Sequence, residues 1–153
     1  MSNRQPVRNT GARIIVGLNF VACLAFGVAS WLAPARVARV VEIALGSATA
    51  LADFRAMYGG LCLAIAAFLL RGLRSPNWLG PSLYLTASMC AGLASGRIYS
   101  SIVDGVPSGV LLGALATEVI SLVWSVIAYR QLRAHDQPAD DTGQLAQLAP
   151  ASR

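Results

Sequence analysis

The chain has 153 residues, of which 56% are hydrophobic and 12% are charged, and its mean hydropathy is +0.59. A soluble domain usually carries about twice that share of charged residues, about 25%. The apolar residues also lie in blocks of about 20, which is the length of a helix that crosses a hydrocarbon core of about 30 Å. The composition therefore excludes an ordinary soluble domain and predicts an integral membrane protein.

The net charge is +5, and all twelve basic residues are arginine. Most of them lie at the ends of apolar blocks, which is typical of topology signals rather than of a nucleic-acid surface. We therefore expect the lipid bilayer as the surroundings of this chain and no nucleic acid as a partner.

Four apolar blocks predict four transmembrane spans, at about residues 14–33, 51–70, 78–95 and 109–129. A polar segment, residues 1–13, precedes them. Residues 134–153 are rich in Gln, Asp, Pro and Ala without periodicity, and we expect a disordered tail there.

The stretch 35–50 differs from the apolar blocks. Arg36, Arg39 and Glu42 share one side of a helix, and valines gather on the other. This pattern predicts a short amphipathic helix that lies in the membrane interface, with an irregular loop as the alternative.

Short connectors make neighbouring spans antiparallel, so the predicted fold is all-α: an integral membrane antiparallel four-helix bundle with the short amphipathic helix between spans 1 and 2. Four spans place both termini on one side. The arginines beside the spans on that side are Arg4, Arg8, Arg13, Arg71, Arg74, Arg130 and Arg133, against Arg36, Arg39, Arg55 and Arg97 on the other. The excess predicts a multi-pass protein of the inner cell membrane with both termini in the cytoplasm.

Two glycine pairs suggest where helices approach each other. Gly92-x-x-x-Gly96 and Gly109-x-x-x-Gly113 have the spacing that lets two transmembrane helices pack closely. We expect close contact there between the third and fourth spans.

The fourth span contains Glu118, about 13 Å from its start at a rise of 1.5 Å per residue. An ionised side chain at this depth costs about 2.5 to 3.5 kcal/mol, so it needs a partner or a function. Thr117, Ser121 and Ser125 lie on the same stripe as Glu118. Either Arg55 or Arg97 is long enough to reach it.

The start of the second span carries several polar residues. Asp53 suits a helix N-cap or the positive helix end. Arg55, Tyr58, Gly59 and Cys62 share one face, on which Gly59 would admit a neighbouring helix or a ligand.

Together these residues predict a buried polar site. Glu118 would be its counter-ion or proton acceptor, and Arg55 and Arg97 would bind an anion. Tyr58 would donate a hydrogen bond, and the ligand-binding set is completed by Gly59 and Asp104. The alternative is a structural ion pair that fixes how the helices pack.

Nothing in the sequence predicts a catalytic residue, a cofactor or a bound metal. Cys23, Cys62 and Cys90 lie singly inside apolar blocks, where small packing residues are expected. His135 is the one histidine and has no ligand-spaced partner. Acid–base work by Asp104 and Glu118 is the remaining enzymatic hypothesis, and it is less favoured than a non-enzymatic role.

Four motifs occur in order: Asp53-x-Arg55-Ala56-x-Tyr58-Gly59-Gly60, Gly96-Arg97, Asp104-Gly105-x-Pro107 and Glu118. Over about residues 12–133 they resemble a bacterial family of small four-helix membrane proteins, domain of unknown function 4345. The family commonly has Glu where this chain has Asp53. The resemblance implies four spans and a membrane location, without an activity or substrate. A more distant similarity to DoxX-type four-helix membrane proteins concerns the fold alone.

Two functions remain open. The first is binding or transport of a small molecule or lipid through the Arg/Glu cluster. The second is a structural or accessory subunit of a membrane complex, with a homo-oligomer or another membrane protein as the partner and with the charges serving helix packing.

Overall fold

The computed structural model describes residues 10–136, and within this range the chain is helical apart from short turns and connectors. The all-α class is therefore confirmed. The predicted polar segment lies outside the described residues up to position 9, and the predicted tail lies outside them from position 137.

The first long helix, α1, covers Thr10–Leu32, and the short helix α2 covers Pro34–Val40. Pro34 occupies the first turn of α2, where its missing N–H costs nothing, and its ring would obstruct a continuous helix from α1. The helix predicted between spans 1 and 2 is therefore present but shorter than expected.

Helix α2 ends in a tight turn at Glu42. The N–H of Ile43 donates to the carbonyl of Ala38 at 2.8 Å, and Glu42 has a positive φ of 59°. This is the glycine-type helix ending, here with a glutamate in the left-handed conformation. The expected single helical face of Arg36, Arg39 and Glu42 is thus corrected, because Glu42 lies beyond the helix.

The second long segment is divided into three parts. Helix α3 covers Ala48–Phe54, a π-helical turn covers Arg55–Gly60, and helix α4 covers Leu61–Arg74. The N-cap of α3 is Ser47, whose hydroxyl accepts from the N–H of Ala50 at 3.1 Å. The predicted capping role of Asp53 is therefore wrong, since a serine six residues earlier caps this helix and Asp53 lies in its last turn.

The last two helices are the longest. Helix α5 covers Pro76–Val103 and helix α6 covers Gly109–Asp136. The turn between them contains Gly105 with a φ of +102°, a conformation that favours glycine. The sequence had suggested that Arg97 lies at the end of this helix. Because α5 continues to Val103, Arg97 instead lies within it.

Three segments are long and apolar enough to cross a membrane: Thr10–Leu32, Ala48–Arg74 and Gly109–Ala134. Helix α5 is equally long, but it contains Pro81 and many serines, and it does not reach the same apolarity. The chain is thus a membrane protein by the length and composition of three of its helical segments.

The helices pack mainly as two pairs, α1 with α4 and α5 with α6. The buried apolar core lies where α1 begins and α4 ends, and it consists of Ala12, Ile15, Val16, Leu69, Leu79, Leu83 and Ala128. Arg13 donates to the carbonyl of Leu73 at 3.3 Å at this end.

Close helix contact occurs at glycines other than those predicted. A Cβ on Gly72 would lie 2.7 Å from the Cβ of Ser82, and a Cβ on Gly27 would lie 3.1 Å from the carbonyl of Gly59. A Cβ would meet no atom within 4 Å at the four predicted positions, Gly92, Gly96, Gly109 and Gly113. The expected glycine contact between the third and fourth spans is therefore wrong, because these glycines face away from other described atoms.

Candidate functional site

An ion pair joins the two longest helices. Arg97 on α5 donates through Nη1 to Oε1 of Glu118 on α6. The Arg97 side chain is 29% exposed and the Glu118 side chain 11%. Of the two arginines that the sequence offered as partners of Glu118, the structure pairs it with Arg97.

The second carboxylate oxygen of Glu118 is buried and unbonded. Oε2 has almost no accessible surface, and no side chain or backbone group of the described residues donates to it. A buried polar atom without a partner costs free energy, and such atoms in native proteins are usually satisfied by water or a ligand. Glu118 therefore presents an unused acceptor inside the protein.

Asn19 brings α1 into the same polar region. Its Nδ2 donates to the carbonyl of Ile15 at 2.9 Å and to Oγ of Ser121 at 3.4 Å. Ser121 lies one turn beyond Glu118 on α6, so three residues from two helices form a continuous polar surface.

Cys90 extends this surface on α5. Its thiol approaches Oδ1 of Asn19 at 4.0 Å. We define Arg97, Glu118, Ser121, Asn19 and Cys90 as the central polar cluster. Residues of three helices, α1, α5 and α6, therefore meet in this cluster.

Neither Asn19 nor Cys90 belonged to the site predicted from the sequence. One signal could have found Asn19, since it is the single amide side chain in the four predicted spans. For Cys90 the sequence offered no such signal. All three cysteines are free thiols.

Arg55 belongs to a second, separate cluster. Its Nε donates to the carbonyl of Trp31 at 3.4 Å, and the indole Nε1 of Trp31 donates to the carbonyl of Arg55 at 3.1 Å. The indole lies against Gly59, where a Cβ would come within 2.8 Å of Nε1. The π-helical turn thus packs against the side chain of Trp31, the penultimate residue of α1.

Tyr58 completes this second cluster. Its ring stacks on Phe54 with centroids 4.6 Å apart and meets Phe26 edge-on at 6.2 Å. The structure therefore divides the predicted set: Arg97 and Glu118 pair with each other, whereas Arg55, Tyr58 and Gly59 contact aromatic residues between α1 and the π-helical turn.

The two aspartates of the predicted set are exposed. Asp104 is the C-cap of α5, and its Oδ2 accepts from the hydroxyl of Ser100 at 2.8 Å. Asp53 lies in the last turn of α3. The structure brings neither carboxylate into the central polar cluster.

Residues 10–136, with their membrane-length apolar helices and a partly buried Arg–Glu pair between two helices, define a helical membrane protein. The family model of the domain of unknown function DUF4345 matches residues 11–129. The chain therefore belongs to the DUF4345 family, as its motifs indicated. Curated proteins and solved structures yield no match to it.

Proposed function

We propose that this protein binds a small polar ligand at the central polar cluster, in a membrane-embedded bundle of four spans. The observation that carries the proposal is the buried and unbonded Oε2 of Glu118 beside a partly exposed Arg97. Ionisable residues within membrane segments are expensive and serve function by default.

The chemistry of the pair defines what the ligand must carry. Arg97 has five N–H donors, and its pairing with Glu118 uses one of them. An acceptor oxygen, such as a carboxylate or phosphate oxygen, suits the remaining donors. A hydroxyl or amine on the same ligand would donate to Oε2 of Glu118.

The partial exposure of Arg97 supplies the route to the site. Glu118 is almost enclosed, while the Arg97 side chain remains partly accessible. A ligand would therefore reach the arginine first, and displacement or sharing of its bond to Glu118 would follow. Binding of this type leaves the ligand bound in the protein. Transport would require that the site also open to the opposite side of the membrane.

The four-span arrangement makes α5 the fourth membrane helix. At 28 residues and 1.5 Å per residue it is about 42 Å long, which exceeds a hydrocarbon core of about 30 Å. Its low apolarity comes partly from Ser82 and Thr86, which are buried against other helices rather than exposed to lipid. On this arrangement both chain ends lie on the side of the arginine excess, the cytoplasm.

A structural role is the alternative, and one observation favours it. The ion pair joins α5 to α6, the helix pair with the most extensive contact in the described part of the chain. Such a pair could serve only to fix the packing of the two helices, in a protein that acts as an accessory subunit.

Native mass spectrometry of the detergent-purified protein tests the proposal. The wild type is compared with Glu118→Gln, which removes the charge and keeps the side-chain shape nearly constant, and with Arg97→Gln, which removes the charge and shortens the side chain. Arg55→Gln is the matched control, because it removes an arginine charge outside the central polar cluster.

We expect a bound small molecule in the wild type and in Arg55→Gln, and its loss from folded Glu118→Gln and Arg97→Gln. The mass of the released species would give its chemical class. An empty wild-type protein, or a bound species that all three variants retain, would contradict a ligand site at this cluster.

A further inference from the structure

An arginine-rich surface lies at the C-terminal end of α6, the end opposite to Gly109. We propose that this end of the protein binds the phosphate group of an anionic phospholipid. We define the arginine-rich end by its five exposed members, Arg13, Arg71, Arg74, Arg130 and Arg133. The proposal is independent of the central polar cluster and of the ligand proposed there.

The five arginines come from three helices that meet at one level. Arg13 on α1 donates to the carbonyl of Leu73 at the end of α4. On the other side, a Cβ on Gly80 of α5 would lie 3.5 Å from Leu132 of α6. These contacts join the start of α1, the end of α4, the start of α5 and the end of α6 into one surface.

Within the described part of the chain, this surface has positive charge without acidic compensation. Among the side chains that the structure describes, residues 10–134, the ion pair is Arg97–Glu118, and none of the five arginines pairs with an acid there. Arg71 and Arg74 lie in the last turn of α4, where they complement the helix dipole. That dipole is equivalent to about half a charge, so most of the positive charge remains available to an external anion.

Aromatic rings hold two of the guanidinium groups in place. Arg71 lies over the ring of Trp78 with its Cζ 4.2 Å from the centroid. Arg133 lies 5.3 Å from the ring centroid of Tyr129 and donates through Nε to the Tyr129 hydroxyl at 3.0 Å. Trp and Tyr side chains favour the level of lipid headgroups, so these arginines are held at the depth of lipid phosphates.

A groove and a helix start complete the surface. Tyr129, Arg130, Arg133 and Ala134 line an open groove of about 270 Å³. Helix α5 begins at this level without a side-chain cap, so the positive end of its dipole adds to the charge of the arginines. A phosphate in the groove would accept from the guanidinium groups of Arg130 and Arg133, a pairing whose geometry suits phosphate oxygens.

A lipid is the source of phosphate that the position favours. Arginines next to membrane helices attract anionic lipids. The attraction by each arginine is lost when it lies more than about a Debye length from the lipid headgroups. The exposed Ile127 on α6 would contact the acyl chains of the same lipid. A soluble phosphate would gain from the charges but not from this apolar neighbour.

The test is a titration of the full-length protein in detergent micelles, read by native mass spectrometry. Phosphatidylglycerol is compared with phosphatidylcholine, which has the same acyl chains but no net charge. Inorganic phosphate is added as a competitor in a third arm. We expect tight binding of phosphatidylglycerol, weak binding of phosphatidylcholine, and little competition by inorganic phosphate.

The variant Arg130→Gln/Arg133→Gln should bind phosphatidylglycerol about 30-fold more weakly than the wild type. Arg36→Gln/Arg39→Gln is the matched control, because it removes two exposed arginines from α2, and its affinity should stay within about twofold of the wild type. Equal binding of the two lipids by the wild type would overturn the proposal, and this comparison requires no variant. Full competition by inorganic phosphate would assign the site to a soluble anion instead, and equal losses in the two double variants would show that only total charge matters.

Discussion

Trp31 and Arg55 bond to each other twice. The indole of Trp31 donates to the backbone carbonyl of Arg55 at 3.1 Å, and the guanidinium Nε of Arg55 donates to the backbone carbonyl of Trp31 at 3.4 Å. The Trp31 carbonyl lies at the end of α1, where the last carbonyls have no partner within the helix. Each side chain thus satisfies a backbone group of the other helix and ties the end of α1 to the π-helical turn.

Gly59→Ala should disrupt this contact. A Cβ at residue 59 would lie 2.8 Å from Nε1 of Trp31 and closer still to Cδ1, so the indole would have to leave its position. We expect a loss of about 1–3 kcal/mol in the free energy of unfolding, from the strained packing and the lost hydrogen bond. Reversible unfolding in mixed micelles with sodium dodecyl sulfate measures it.

The neighbouring glycine is the control for that prediction. At Gly60 a Cβ would meet only the carbonyl of Arg55, at 3.9 Å, which is ordinary contact. Gly60→Ala should therefore be neutral or stabilise the helix by up to about 1 kcal/mol. Equal destabilisation by both variants would show that the backbone of the π-helical turn, and not the Trp31 contact, demands glycine.

Gly72→Ala should separate α4 from α5. A Cβ there would lie 2.7 Å from the Cβ of the fully buried Ser82 and 3.1 Å from the carbonyl of Trp78. A buried contact has little room to relax, so we expect a loss of about 2–3 kcal/mol. Gly92→Ala is its control on α5; it has open space around it and should stabilise the protein by up to about 1 kcal/mol.

A second substitution tests the cause of that loss. Ser82→Gly would remove the two nearest atoms that a Cβ at residue 72 meets, the Oγ and Cβ of Ser82, at the cost of a glycine inside α5. The double variant Gly72→Ala/Ser82→Gly should therefore be more stable than the sum of the two single changes predicts. Strict additivity of the two changes would argue against direct contact.

Glu42→Gly should stabilise the protein by about 0.5–1 kcal/mol. Glu42 has a φ of 59°, which costs a residue with a Cβ about 1–2 kcal/mol. Glycine relieves this cost but loses more backbone entropy on folding, so the net gain is smaller. Glu42→Ala removes the charge and keeps the Cβ; if it stabilised the protein as much as Glu42→Gly, charge and not backbone conformation would be the cause.

The helices were predictable from the sequence because apolar blocks of membrane length, together with prolines and glycines, mark their middles and ends. The end of the third span was predicted too early, because a charge followed by polar residues, as at Arg97, is typical of the end of a span. In the structure α5 continues past it because backbone hydrogen bonds are indifferent to side-chain polarity and Glu118 pairs with the charge.

The candidate site was predictable only in part. The depth of Glu118 in its span predicted a buried acid. The sequence could not decide whether Arg55 or Arg97 is its partner, because both side chains are long enough to reach the carboxylate. Arg55 begins the π-helical turn, and this turn sets the direction of its side chain. Nothing in the local sequence predicts a π-helical turn in place of an α-helical one. Asn19 joins the cluster through helix packing, which residue spacing within one helix does not reveal.

The central claim is that Arg97 and Glu118 form a ligand site rather than a packing device, and the free energy of unfolding of Glu118→Gln in mixed micelles tests it most directly. Glutamine can still accept a hydrogen bond from Arg97, and it removes a carboxylate charge whose Oε2 has no partner among the described residues. The account predicts stability within about 0.5 kcal/mol of the wild type once bound ligand has been removed. A loss of about 3 kcal/mol or more, the usual result of breaking a structural buried pair, would contradict it.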